Sequence, residues 1–194
     1  MRVLSGLLAA VVLIACPSIA VADEATIKDS TDDVYGSVPE GFEQVEPVGT
    51  RVNTDLRKVV VSHRANAVVL MVRYVDLVAG ESAFIKYEAY LNLPPGLDDI
   101  FVFVRVRPSL EKASVELFGT LGAFPCQGAK AAAEPAKDLV RVRVPRSCLE
   151  NPEWIRVSGQ SESRGKGERH FFDWGNTAGD YDAKNPQTER LYAG

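Results

Sequence analysis

The feature that most limits what this chain can become is a two-residue alternation of valine with larger or charged side chains. Val140, Val142 and Val144 alternate with Arg141 and Arg143, and Val102, Val104 and Val106 alternate with Phe103, Arg105 and Arg107. Successive side chains of a strand point to opposite faces, so each run describes a strand with one dry face and one wet face. Val68 to Val72 is apolar on both faces and reads as a central strand covered on both sides. No segment carries the length and 3.6-residue period of a long helix.

Similar β-branched or aromatic runs recur between turn residues: Arg57–Ser62, Ala67–Leu77, Phe84–Leu91, Ile100–Arg107, Ala113–Phe118, Leu139–Val144, Trp154–Ser158 and His170–Trp174. Seven or eight short strands at regular spacing predict an all-β fold, an antiparallel β-sandwich of jelly-roll-like topology. Ser62–Asn66, with His63 in it, is the expected hairpin loop between the first two runs. Pro145–Pro152 fits one helical turn, stopped before Pro152.

Ahead of this body lies a different text. Residues 1–22 place Arg2 before an apolar run, Leu7 to Ala15, and end in Ala20-Val21-Ala22, the order of a bacterial signal peptide with its cleavage site. The run is short and broken by Pro17, whereas a membrane span needs about 20 apolar residues. Leu13-Ile14-Ala15-Cys16 also fits a lipobox, so membrane attachment follows only if Cys16 is lipidated. Residues 23–55 form an acidic, loop-rich N-terminal segment with Pro39, Pro47, Gly36, Gly41 and Gly49, holding at most a short strand near Ala25–Lys28. Residues 56–194 are the sandwich body.

Cleavage after Ala22 leaves 21 basic and 26 acidic residues, a net charge of −5. A general nucleic-acid binder needs a basic excess to displace phosphate counterions, so that class is excluded. Two of the three cysteines remain, Cys126 and Cys148. In an oxidising compartment they read as a disulfide, the alternative being two buried thiols.

Candidate sites are few. Asp29, Asp32, Asp33 and Asp55 offer clustered carboxylates of the kind a structural Ca²⁺ takes, although the glycine and distal glutamate of an EF-hand are missing; solvated loop carboxylates are the alternative. A second acidic stretch, Asp173 to Asp182, meets the first only if the chain ends come together. Arg105, Arg107, Arg141 and Arg143 make a basic ligand surface if their strands are neighbours, and cross-strand ion pairs otherwise. Tyr87, Tyr90, Trp154, Phe171, Phe172 and Trp174 are aromatic candidates for stacking on sugars, with Tyr90 and Trp174 the ones expected at the surface. His63 and His170 neighbour no nucleophile, and G-x-S-x-G, H-E-x-x-H and phosphate-binding glycine loops are missing.

Lys28-Asp29-Ser30-Thr31-Asp32-Asp33, Asp55-Leu56-Arg57-Lys58-Val59, the hairpin at His63 and Val144-Pro145-Arg146-Ser147-Cys148-Leu149 before Trp154 together resemble small secreted β-sandwich proteins of uncharacterised function from actinobacteria. That resemblance implies export, a sandwich and a Cys126–Cys148 bridge, and supplies no substrate. The expectation is a non-catalytic binding or interaction domain of the envelope or extracellular space, with a cell-wall polymer, glycan or protein as partner. The competing class is an extracellular hydrolase using paired carboxylates.

Overall fold

The computed structural model describes residues 22–38, 41–107, 109–165, 169–175 and 187–194. The leader through Val21, with Cys16, lies outside the described residues, as do Asn176, Thr177, Asp180 and Asp182 of the closing acidic stretch.

In chain order the strands are β1 (Asp23–Lys28), β2 (Val34–Val38), β3 (Gly41–Gly49), β4 (Leu56–Arg64), β5 (Ala67–Tyr74), β6 (Phe84–Asn92), β7 (Ile100–Val106) and β8 (Ala113–Gly119). They continue with β9 (Gly122–Phe124), β10 (Lys130–Glu134), β11 (Leu139–Pro145), β12 (Trp154–Arg164), β13 (His170–Asp173) and β14 (Leu191–Tyr192). The smaller sheet runs β1-β4-β5-β11-β10. The larger runs β3-β2-β13-β12-β6-β7-β8-β9, with β14 on the first residues of β12. All pairings are antiparallel. The β-sandwich expected from the alternation is the fold.

The valines do what their spacing requires. Val140, Val142 and Val144 are fully buried beside Val68, Leu70 and Val72, and Val102 and Val104 close the core from the other sheet with Ile85, Tyr87 and Leu91. β5 is central in its sheet, as its two apolar faces demand. On its outer side Val69 and Met71 lie opposite Arg143 and Arg141, whose aliphatic stems suit such neighbours.

Four expectations need correction. Asp23–Asn53 is not mostly loop: β2 and β3 lie there. They form the edge of the larger sheet, where Pro47 costs no central ladder bond and bulges at Val34/Tyr35 and Ser37/Val38 absorb the irregular sequence. At Gly36 the strand passes close beneath the Arg169 guanidinium, which a Cβ there would meet at 2.9 Å. Lys130–Glu134 is also a strand, concealed by its alanines, which are poor strand markers until β11 supplies a partner. β12 extends six residues past Ser158 to Arg164, through small polar residues that both neighbouring strands pair with.

His63, finally, is not in a loop. β4 runs through Arg64, the turn is Ala65-Asn66 alone, and His63 is fully buried with its Nδ1–H donated to the Leu191 carbonyl at 2.8 Å. The short helical turn after β11 is present as a 3₁₀ turn, Arg146–Leu149. It carries Cys148, which is bonded to Cys126, with the two Cα atoms 5.6 Å apart. The bridge ties the β9–β10 connection to the end of β11.

Candidate functional site

The acidic residues meet where the chain first crosses between sheets. β1 ends at Lys28, and the next amide, of Asp29, donates to the Arg57 carbonyl at 3.2 Å, keeping the turn against β4. Asp32 adopts φ 71°, the left-handed region that aspartate tolerates better than most residues. Its N–H donates to Asp55 Oδ2 at 3.1 Å. Asp55 itself is clamped by its backbone, its N–H on the Arg51 carbonyl and its carbonyl taking the Val75 N–H. Asp173, at the end of β13, accepts the Leu56 N–H.

One carboxylate oxygen from each of Asp29, Asp33 and Asp173 lies within 4.8 Å of the others. Asp55 and Asp173 are 0% and 1% exposed. Two unit charges this close repel by roughly 3 to 4 kcal/mol at an effective dielectric constant of about 20. The acidities register it. Burial, then the charges of Asp29, Asp33 and Asp55, push Asp173 far above the ordinary carboxylate range against the pull of the Leu56 N–H. Burial pushes Asp55 up to about 6, opposed by the Asp32 amide and the Thr50 hydroxyl and reinforced by Asp33 and Asp32. Asp33 is raised as well, by burial first and Asp32's charge after it.

Of the residues the sequence singles out here, Asp29 and Asp33 converge, and Asp55 is tied to the same turn through the Asp32 amide. Asp32 is exposed and contributes its amide rather than its carboxylate. Asp173 joins them because β13 pairs with β2, the strand that follows the acidic turn. Among the described residues, Asp29, Asp33 and Asp173 are the group with oxygens close enough together to hold a metal ion.

The four arginines do not form one surface. Arg105 and Arg107 belong to β7 and the residue after it in the larger sheet, while Arg141 and Arg143 belong to β11 in the smaller one. The chain changes sheets between β9 and β10, so the two basic strands face away from each other. Arg105 lies 3.7 Å from Glu116 and Arg141 3.3 Å from Glu134, exposed pairs of small energetic weight.

The outer face of the larger sheet is where aromatic rings gather. Register places Ser158, Tyr90, Phe101 and Phe118 in one row across β12, β6, β7 and β8, and Gln160, Glu88, Phe103 and Glu116 in the next. Ring centroids are 5.0 Å apart for Tyr90–Phe101, 6.2 Å for the near-parallel Phe101–Phe103 and 4.7 Å for Phe103–Phe118. Phe101 is 39% exposed. Tyr90 cannot swing away, because its hydroxyl donates to Asp99, which also takes the Asn92 side-chain amide at 2.9 Å and the Leu93 N–H at 3.1 Å. Burial raises the Asp99 carboxyl, but those three donors outweigh it and hold it below its usual range. Glu88, Tyr90, Phe101, Ser158, Gln160 and Gln187 border a hollow of about 300 Å³. A second aromatic strip, Tyr35, Trp174, Phe172 and His170, lies on β2, β13 and the residue after it, with centroids 5.8 to 6.2 Å apart.

Tyr90 and Trp174 thus stand on surface strips, half-buried, whereas Tyr87, Trp154 and Phe171 are core residues. Phe101 and Phe103 were open to recognition from the alternation that puts them on the wet face with Arg105; Phe118 comes to them only by pairing. Comparison with protein-family models, curated proteins and solved structures finds no match for this chain. Among the described residues, no helix is long and apolar enough to cross a membrane.

Proposed function

We propose that this protein is an exported, non-catalytic binding module of the cell envelope or extracellular space that takes a glycan on the outer face of its larger sheet. The carrying observation is the hollow beside Tyr90 and Phe101, where ring faces stand next to Glu88, Ser158, Gln160 and Gln187. Sugar rings present apolar C–H faces and a rim of hydroxyls. Fixed aromatic planes match the first, and amide and carboxylate groups match the second. Its volume of about 300 Å³ suits one or two sugar rings. Gln160 and Glu88 are already oriented toward each other at 3.1 Å, and Lys86 bridges Glu88 and Glu162 at 3.4 and 2.5 Å. An anionic polymer is a poorer match, since the arginines are split between two sheets. The leader sequence and the Cys126–Cys148 bridge support an oxidising destination.

A hydrolase built on paired acids is less well supported. Its acids must reach a glycosidic oxygen and a water, and Asp55 and Asp173 are sealed from solvent.

The test is binding of the purified protein to a panel of cell-wall and neutral polysaccharides by affinity electrophoresis and calorimetry. Retention by at least one glycan is expected, weakened about tenfold or more by Phe101→Ala, a loss of about 1.4 kcal/mol. No retention by any glycan, or equal binding by the variant, refutes the reading.

A further inference from the structure

Buried carboxylates are tolerated when they are protonated or when a cation sits among them, and the geometry here favours the second. Asp29, Asp33 and Asp173 bring one oxygen each to a common point within 4.8 Å. Ligand oxygens on opposite sides of a Ca²⁺ ion, each about 2.3 to 2.6 Å from it, are about 5 Å apart; around Mg²⁺, at about 2.0 to 2.1 Å, they are nearer 4 Å. A separation of no more than 4.8 Å lies inside the span of a Ca²⁺ shell. All donors are oxygen, which selects a hard cation over zinc or copper.

A second observation is independent of the cluster's spacing. Asp55 is 0% exposed, and its Oδ2 takes the amide of Asp32 on the very turn that carries Asp29 and Asp33, while its Oδ1 is buried with no hydrogen-bond partner. Orphaned oxygens of this kind are rare in folded proteins and mark a place where an ion or a water belongs. Each carboxylate also has a fixed mount: Asp29 follows β1, Asp55 precedes β4 and Asp173 ends β13, so the site joins a strand end of each sheet to the crossover between them.

We infer that Asp29, Asp33 and Asp173, backed by Asp55, form a structural Ca²⁺ site that fastens the two sheets together at the β1–β2 crossing. The ion replaces mutual repulsion of the carboxylates with attraction to a common centre, and water completes the six to eight oxygens that Ca²⁺ takes. The site is separate from the aromatic face, so its failure and that of the glycan reading are distinguishable.

The experiment is thermal unfolding of the purified protein in EDTA and in about 5 mM CaCl₂ or MgCl₂, with calorimetric titration of Ca²⁺; extracellular modules bind calcium with dissociation constants of about 10⁻⁴ to 10⁻³ M. At about ten times such a constant, Ca²⁺ is expected to raise Tm by about 3 to 6 °C, with a smaller effect of Mg²⁺. Asp33→Asn and Asp173→Asn should each weaken Ca²⁺ binding tenfold or more and remove the shift. Asp173→Asn keeps an oxygen to accept the Leu56 N–H and so preserves that mount, and Asp33 is only partly buried, giving a second variant that spares the core. An unchanged melt in Ca²⁺, an equal response to Mg²⁺, or variants that retain the full shift overturns the inference. A wild type indifferent to Ca²⁺ beside an Asp173→Asn variant more stable in EDTA would identify the cluster as protonated carboxyls instead.

Discussion

Gly159, on β12, lies beneath the ring of Tyr87 from β6, and the fit between them sets how tightly the core closes behind the acidic cluster. A Cβ built on Gly159 stands 2.2 Å from the Tyr87 hydroxyl, 2.7 Å from its Cζ and 3.0 Å from the Glu88 carbonyl oxygen. Non-bonded heavy atoms rest at about 3.5 to 4 Å, so the added methyl intrudes by more than about an ångström on the hydroxyl oxygen and by about 0.8 Å or more on Cζ. Overpacking typically costs about 1 to 3 kcal/mol. Gly159→Ala belongs at about 3 kcal/mol, because Tyr87 is fully buried and the third obstacle is backbone. Tyr87→Phe alone deletes a buried hydroxyl that makes no hydrogen bond and should be neutral or stabilising by up to about 1 kcal/mol. In that background the closest clash is gone while those with Cζ and Glu88 remain, so the glycine substitution should then cost roughly 1 to 2 kcal/mol, a coupling of about 1 kcal/mol or more. Urea unfolding of the wild type, both single variants and the double variant measures every term. A Gly159→Ala cost below about 0.5 kcal/mol, or the same cost in both backgrounds, refutes the packing argument.

His63 makes stability depend on pH. Burial holds its imidazole below the ordinary pKa of 6.5, with Arg146's charge adding and the Leu191 carbonyl and Asp23 opposing. The unfolded chain therefore binds the proton first, and His63's contribution, full above pH 6.5, is lost as pH falls toward the folded value. Relative to His63→Gln, wild-type stability should fall by up to about 1.4 kcal/mol per pH unit below pH 6.5; parallel pH profiles of the two proteins contradict this. Comparing the difference is essential, because Asp55 and Asp173, with raised pKa values, lose stability in the opposite sense as pH rises above 3.8. Reduction of Cys126–Cys148, or Cys126→Ala with Cys148→Ala, should lower unfolding free energy by about 3 kcal/mol, the chain-entropy value for a loop of this size. Full alkylation of both thiols in unreduced protein contradicts the bridge.

Much of the fold stood in the linear order of residues. Val140 to Val144 and Val102 to Val106 declared their strands and faces without help, because period-two patterning is a local property. Gly36, Pro47 and the alanines of Lys130–Glu134 concealed strands for an equally physical reason: edge and pairing partners, not intrinsic preference, make those segments extended. The loop assigned to His63 failed because a buried histidine and a turn histidine look alike until Leu191 is brought to its ring from 128 residues away.

What the sequence determined by itself was the all-β sandwich, the net acidity of residues 23–194 and the stock of groups for a site: carboxylates in Asp29–Asp33 and Asp55, rings on the wet face of β7, and two cysteines. What the tertiary structure alone decided was which of them meet. It set Asp173 beside Asp29 and Asp33, turned Asp32 from a ligand into an amide donor, and parted Arg105 and Arg107 from Arg141 and Arg143. The physical reason is that strand patterning depends on neighbours two residues apart. A site, by contrast, depends on sheet order and register, which are fixed only when distant strands share one core.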